Sequence, residues 1–318
     1  VAHGITVTNT PGVLTDAAAE LAVTLVLMVA RRAGAGERQV RSGKWTGWRP
    51  THLLGTGLAG KTLGIVGMGR IGTATALRLQ AGWGMEVVYH SRSAIDATHD
   101  PRLTTRRVEL DDLMGTADVI SLHVPGSPET RHLIDARRLA LMRPSAILIN
   151  TARGDVVDQA ALIAALRAGT IAGAGLDVYE GEPNVPTELR SLENVVLLPH
   201  LGSATVETRT EMSLLAARNV ATVLAGEPPL TPVAPPVPEP CAQRPTSRVR
   251  GPGRLAQLGE HQLDKLGVTG SSPVPPMKTL RNAGFLLLVV RAQCRPSAAE
   301  ATTFIRTSLS ARPPSGLA

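Results

Sequence analysis

Short apolar runs recur along residues 62–198, each four to seven residues long and most followed by a stretch with helical spacing. Thr62–Gly67 (TLGIVG), Met85–His90 (MEVVYH), Asp118–Val124 (DVISLHV), Ala146–Asn150 (AILIN), Ala172–Val178 and Val195–Leu198 read as strands. Near-continuous apolar character, rather than strict alternation, marks strands covered on both faces. Helices are predicted over residues 15–33, with Thr15 or Asp16 as the cap, and over Arg70–Ala81, Leu110–Met114, Asp158–Ala168 and Ser203–Leu224. A Gly-, Arg- and Trp-rich stretch, Gly34–Gly60, separates the first helix from the first strand. Strands alternating with helices predict an α/β fold built on a doubly wound parallel sheet.

The pattern stops near Glu227. Residues 228–240 hold seven prolines in thirteen positions, which excludes helix and central strand. Of the chain's 33 basic and 26 acidic residues, 11 and 4 lie in residues 231–318, which leaves 22 of each sign in 1–230. The basic pI is therefore a property of the tail, and charge gives no reason to expect nucleic-acid binding by the body. Residues 231–318 are expected to be disordered. Arg254–Pro276 resembles a tRNA gene translated as if coding, with Gly270-Ser271-Ser272-Pro273 standing where the conserved T-arm would be read, so the tail is expected to be a non-native readthrough. Cys241 and Cys294 also fall there. The body thus offers no disulfide, cysteine metal site or cysteine nucleophile, and a cytoplasmic location is expected. Leu21–Ala30 is too short to span a bilayer, and the acids before it and Arg31-Arg32 after it reverse the charge order of a signal peptide, so no membrane partner is expected.

Two phosphate-binding patterns overlap. Gly55–Thr62 matches G-x-x-x-x-G-K-[ST], but that loop needs a strand before it and a helix after it, whereas here a strand follows. Gly67-Met68-Gly69-Arg70-Ile71-Gly72 matches G-x-G-x-x-G in the required place, after a strand and opening a helix. Gly67 would make the tight turn, Gly69 would admit a pyrophosphate, and Gly72 would let helix pack on strand. This pattern predicts a Rossmann dinucleotide-binding domain. At the end of the second strand, His90-Ser91-Arg92-Ser93 lacks the carboxylate that binds the ribose hydroxyls of NAD. Ser91, Arg92 and Ser93 instead suit a 2′-phosphate, so NADP is the expected cofactor, with NAD possible.

Arg153, Glu182 and His200 each follow a predicted strand, where ligands of such sheets gather. Arginine offers a fork for a carboxylate, histidine a proton near neutral pH, and glutamate can orient and charge that histidine.

Residues 4–230 resemble the D-isomer-specific 2-hydroxyacid dehydrogenases, most of all their glyoxylate/hydroxypyruvate reductase branch. The resemblance is carried by NTPGVLTDAAAELA (9–22), KWTGWRP (44–50), GKTLGIVGMGRIG (60–72), HVPGSPETRHLI (123–134), INTARGDVVD (149–158), AGLDVYEGEP (174–183) and LLPHLGSAT (197–205). It implies that Arg153 holds the carboxylate and keto oxygen of a small 2-oxo acid, that His200 protonates the carbonyl oxygen, and that Glu182 hydrogen-bonds His200. It implies cofactor contacts from Val124, Pro125, Thr151, Ala152, Arg153, His200, Gly202 and Ser203, with Asp177 facing the nicotinamide carboxamide. Formate dehydrogenases of the superfamily carry glutamine in place of Glu182. A homodimer is implied as well. The family builds its substrate domain from the N-terminal segment and the last helix. The expected division is therefore a remnant of that domain in 1–12, a dinucleotide-binding domain in 13–202, a closing helix in 203–230 and the tail in 231–318. On that division the chain is an N-terminally truncated member, expected to turn over weakly or not at all. The competing reading, from corepressors related to the family, is a dinucleotide-sensing interaction protein without catalysis.

Overall fold

A computed structural model describes residues 5–92 and 100–233. Seven parallel strands form one sheet in the order β3-β2-β1-β4-β5-β6-β7. They are β1 Thr62–Val66, β2 Glu86–His90, β3 Thr105–Arg107, β4 Val119–Leu122, β5 Ile147–Asn150, β6 Gly173–Leu176 and β7 Val195–Leu197. The helices are α1 Thr15–Ala30, α2 Ala33–Arg41, α3 Arg70–Trp83, α4 Leu110–Thr116, α5 Ala136–Leu141, α6 Gln159–Ala168, α7 Thr187–Arg190 and α8 Val206–Leu224. The strand order reverses between β1 and β4, the switch point at which doubly wound sheets open a crevice for ligand.

Each face of the sheet is covered by its own apolar layer. Leu25 and Val26 of α1, with Ala76 and Leu79 of α3, pack against Leu63, Ile65, Val87 and Ile149. On the other face Leu113, Leu139 and Leu162 pack against Ile120, Leu122 and Leu148. The run Leu21–Ala30 thus forms part of a buried helix, and among the described residues no helix is long and apolar enough to cross a membrane.

The element boundaries differ from the sequence reading where local chemistry stops an element that hydropathy would continue. The first helix ends at Ala30 instead of residue 33, because Arg32 takes left-handed geometry with φ of 52° and a second helix starts at Ala33. Neither Thr15 nor Asp16 caps α1: Leu14 occupies that position, and the Asp16 carboxylate accepts from Arg78 on α3 at 2.8 Å. The closing helix starts at Val206 rather than Ser203, since 203–205 form a turn and the Thr205 hydroxyl accepts from the Thr208 amide at 3.1 Å. Asp158 caps α6 through the Ala161 amide at 3.0 Å instead of opening it. Elements α2, β3, α5 and α7 were not expected; α2 is polar on average and the other three hold only three to six residues.

The contacts separate into two compact units, one comprising residues 10–213 and the other, among described residues, 5–9 with 214–233. In the second unit Val233 donates to the Val7 carbonyl at 2.9 Å, and Thr8 and Pro232 form an antiparallel bridge. The buried Asn219 side chain donates to the Thr231 hydroxyl at 2.9 Å and accepts from its amide at 3.0 Å. Residues 231–233, assigned to the disordered tail on composition, are therefore ordered. A buried amide side chain needs both partners, and Thr231 supplies them. The rest of the tail expectation, including Arg254–Pro276 and both cysteines, lies outside the described residues, as does 1–4 of the expected remnant.

Leu25 is fully buried between α1 and the sheet, so Leu25→Ala should cost about 2–5 kcal/mol of unfolding free energy, read as a lower denaturation midpoint with an unchanged denaturant slope.

Candidate active site

The turn leaving β1 is built for an anion. Gly67 has φ of 97°, and a Cβ there would lie 2.7 Å from the His123 carbonyl carbon, so only glycine lets this turn run against the exit of β4. Gly69 is the N-cap of α3 and contributes no side-chain cap, and a Cβ on it would meet nothing within 4 Å. The first-turn amides, from Arg70 and Ile71 through Gly72, thus face room that a pyrophosphate can fill. The Thr151 hydroxyl at the end of β5 is buried with no partner among the described residues. An uncapped helix start and a buried orphan hydroxyl at the crevice fit a dinucleotide. The overlapping Gly55–Thr62 pattern is followed by β1 and not by a helix, which excludes a P-loop.

At the end of β2, His90 Nδ1 lies 3.1 Å from the Val108 carbonyl. Ser91 and Arg92 follow, and Ser93 lies outside the described residues. The Arg107 Nη2 donates to the carbonyls of Ser91 at 2.8 Å and Arg92 at 3.2 Å. Glu129, in the turn after β4, is held below the usual carboxylate range, first by the Ser127 hydroxyl and, among lesser causes, by the Arg92 charge. Of the expected contacts after β4, Val124 packs with His123 over Gly67, and the Pro125 carbonyl accepts from Thr130 at 2.7 Å. Burial holds the His123 imidazole down at about 4, so it is neutral at pH 7, and its Nε2 lies 2.9 Å from the Ser121 hydroxyl.

Arg153, Glu182 and His200 all stand on loops leaving the carboxyl ends of β5, β6 and β7. Asn150 shapes the first loop, accepting from the Ala152 amide at 3.0 Å and donating to the Arg153 carbonyl at 2.9 Å. Arg153 Nη1 donates to the Ala152 carbonyl at 2.7 Å. Gly154 then passes under the second loop so closely that a Cβ would stand 1.9 Å from the Tyr179 carbonyl carbon. In the second loop one Glu182 oxygen accepts from the Tyr179 amide at 2.8 Å, and the other lies 2.9 Å from His200 Nδ1. A carboxylate only accepts, so Nδ1 carries the proton and Nε2 is the nitrogen directed at a ligand. The Tyr179 hydroxyl donates to the Leu198 carbonyl at 2.8 Å, and burial raises its pKa.

Asp177 is nearly fully buried and clasps the third loop. Its carbonyl accepts from the His200 amide at 2.9 Å, and its two carboxylate oxygens accept from Leu201 at 2.7 Å and Gly202 at 2.9 Å. Burial raises its pKa, opposed by those two amides and by His200. His200 itself has φ of 54°, an uncommon conformation for a non-glycine residue that the clasp maintains. Ser203 is buried just beyond. The sequence reading assigned Asp177 to the nicotinamide and missed this anchoring, along with Asn150, Tyr179, Gly154, His123, Arg107 and Glu129. The tight Arg153-Gly154 pair was the one local signal for any of them. Among the described residues no group of three metal-ligating side chains gathers.

Gly154→Ala forces backbone apart and should lower stability by about 3 kcal/mol, whereas Gly69→Ala should cost less than about 1 kcal/mol yet weaken dinucleotide binding. Denaturant midpoints and cofactor titration of the two variants check the contrast; equal midpoints would contradict it.

Comparison with known proteins agrees with this geometry. Residues 23–202 match the NAD binding domain of the D-isomer specific 2-hydroxyacid dehydrogenases. The chain is 53% identical over 231 residues to a glyoxylate reductase of Thermococcus litoralis, covering 71% of this chain and 69% of that protein. It is 46% identical over 255 residues to a glyoxylate reductase of Aeropyrum pernix, covering 79% and 73%. The NADPH-dependent glyoxylate/hydroxypyruvate reductase of Sinorhizobium meliloti, solved with NADP and malonate, superposes with a TM-score of 0.67 at 43% identity, covering 73% and 72%. The match across the whole sheet and its loops shows that this chain belongs to the D-isomer specific 2-hydroxyacid dehydrogenases, NAD(P)-dependent oxidoreductases with a Rossmann domain.

Proposed function

We propose that the chain reduces a small 2-oxo acid, glyoxylate or hydroxypyruvate, to the D-2-hydroxy acid with NADPH as the preferred reductant. The observation that carries this reading is the Glu182–His200 pair at 2.9 Å, presented at the carboxyl end of the sheet beside the Arg153 loop. The names of the relatives supply the substrate class, and none of those relatives speaks for a non-catalytic dinucleotide sensor.

Arg153 binds the substrate carboxylate and keto oxygen through its planar fork. His200 donates the Nε2 proton to the carbonyl oxygen as negative charge develops there. Glu182 keeps the ring oriented and favours the imidazolium, while its own second oxygen is fixed by the Tyr179 amide. Asp177 holds residues 200–202 in place from behind. Gly67, Gly69, Arg70, Ile71 and Gly72 would hold the pyrophosphate, Ser91, Arg92 and Ser93 the 2′-phosphate, Val124 and Pro125 the adenosine side of the crevice. Thr151, Ala152, Asp177, Gly202 and Ser203 would line the nicotinamide end. Bound NADPH supplies the hydride that the carbonyl carbon receives.

A second copy of this chain is the partner that fits residues 40–54, where Val40, Trp45, Trp48 and Leu54 are exposed, Trp48 at 81%. The cysteine-free body suits a reducing cytoplasm.

In an active form of the chain, His200→Ala should lower kcat for glyoxylate reduction about 10²–10⁴-fold, the range of a positioned general acid. Steady-state kinetics with normal turnover by that variant would remove the mechanism. Arg92→Asp should exchange the cofactor preference, weakening NADPH about ten- to a hundredfold by loss of a charge-assisted contact. Titration of both cofactors reads the exchange, and a parent chain that favours NADH would contradict the assignment.

A further inference from the structure

β3 is the outermost strand of the sheet and holds only three residues, Thr105, Arg106 and Arg107. It pairs in parallel with β2, setting Arg106 opposite Val88 and Arg107 opposite Tyr89. Successive side chains of a strand point to opposite faces, so the two arginines diverge. Cations on an edge strand commonly discourage pairing with another chain, and that role would need neither residue to touch the cofactor crevice. Arg107 does more. One of its terminal nitrogens donates to two consecutive carbonyls, Ser91 at 2.8 Å and Arg92 at 3.2 Å, and these belong to the turn that carries the phosphate-selecting side chain.

Two physical consequences follow. The double acceptor fixes the peptide planes on both sides of Arg92, so the Arg92 side chain starts from a restrained main chain and loses less entropy when it binds. A second guanidinium also stands within one residue's reach of the first. Among the described residues Arg107 forms no ion pair with a carboxylate, and its guanidinium is held by those two carbonyls. Arg92 and Arg107 thus bring two positive charges to one turn, a repulsion that a doubly charged phosphate relieves and a ribose hydroxyl does not. We propose that Arg107 is a second determinant of cofactor choice: a positioning residue that pins the Ser91–Arg92 turn by its two carbonyls and adds positive charge to the 2′-phosphate subsite. This inference rests on the reading that Arg92 receives that phosphate.

The test is titration of the 318-residue chain with NADPH and with NADH, followed by quenching of intrinsic tryptophan fluorescence. Arg107→Met should weaken NADPH about ten- to thirtyfold, the lower part of the range for one charge-assisted contact, and should change NADH less than about twofold. Arg106→Met removes the same charge from the opposite face and should leave both affinities within about twofold. The Arg92→Ala/Arg107→Met double variant should lose less than the product of the single losses, because the two residues act through one turn. If Arg107→Met does not fold, Arg107→Gln, which keeps N–H donors without the charge, decides by the same criterion. Unchanged NADPH affinity in the Arg107 variant, or equal losses for both cofactors, overturns the proposal. Should Arg92→Ala weaken NADPH while Arg107→Met does not, this inference alone fails; should Arg92→Ala leave NADPH untouched, the cofactor reading fails and takes this inference with it.

Discussion

Asp177 anchors the loop on which the proposed chemistry depends. One residue at the end of β6 accepts three successive amides, those of His200, Leu201 and Gly202, through its carbonyl and both carboxylate oxygens. Each of these amides would otherwise need water in a crevice that dinucleotide is meant to fill. The clasp holds His200 at a positive φ that an unsupported histidine would leave, and it directs the ring toward Glu182. A carboxylate buried this deeply is costly in isolation; the amide donors offset part of that cost, and burial still leaves its pKa raised. The residue thus stabilises a geometry at the expense of its own solvation.

Around that clasp the three loops are tied to one another, not only to their strands. Asn150 bonds both sides of the Ala152–Arg153 segment, Gly154 lies in van der Waals contact with the Tyr179–Glu180 peptide, and Glu182 reaches back to Tyr179 while holding His200. A displacement of one loop therefore moves the others. Short loops between strands of a rigid parallel sheet, cross-linked in this way, restrict the relative positions of Arg153, Glu182 and His200 far more than three independent loops could.

The cofactor end is organised by charge and by space. Glycines 67 and 69 do different work two positions apart: the first is packed against His123, the second opens onto empty volume at an uncapped helix start. Beyond β2 the edge turns basic, with Arg92 on the turn and Arg107 of β3 bound to two of that turn's carbonyls. The same sheet therefore carries an uncapped helix start after β1 and a cationic edge beyond β2.

The strand–helix alternation, the G-x-G-x-x-G turn and the positions of Arg153, Glu182 and His200 just after strands were legible along the chain, because each is a local pattern of a few residues. Local patterns also misled. Hydropathy carried strands and helices past their ends, and composition placed Thr231 in a tail although Asn219 binds it. Elements that are polar on average or very short, such as the nine-residue α2 and the three-residue β3, left little trace to read. The clasp of Asp177 on residues 200–202, the approach of Gly154 to Tyr179 and the reach of Arg107 to Ser91 span separations of 16 to 25 residues. Polar groups that far apart meet only because the sheet orders its strands β3-β2-β1-β4-β5-β6-β7 and brings their carboxyl ends to one edge. Sequence alone determined that Arg153, Glu182 and His200 follow strands of a parallel sheet; the tertiary structure decided which residues touch, since hydrogen bonds depend on distances of a few tenths of an ångström that no local propensity encodes.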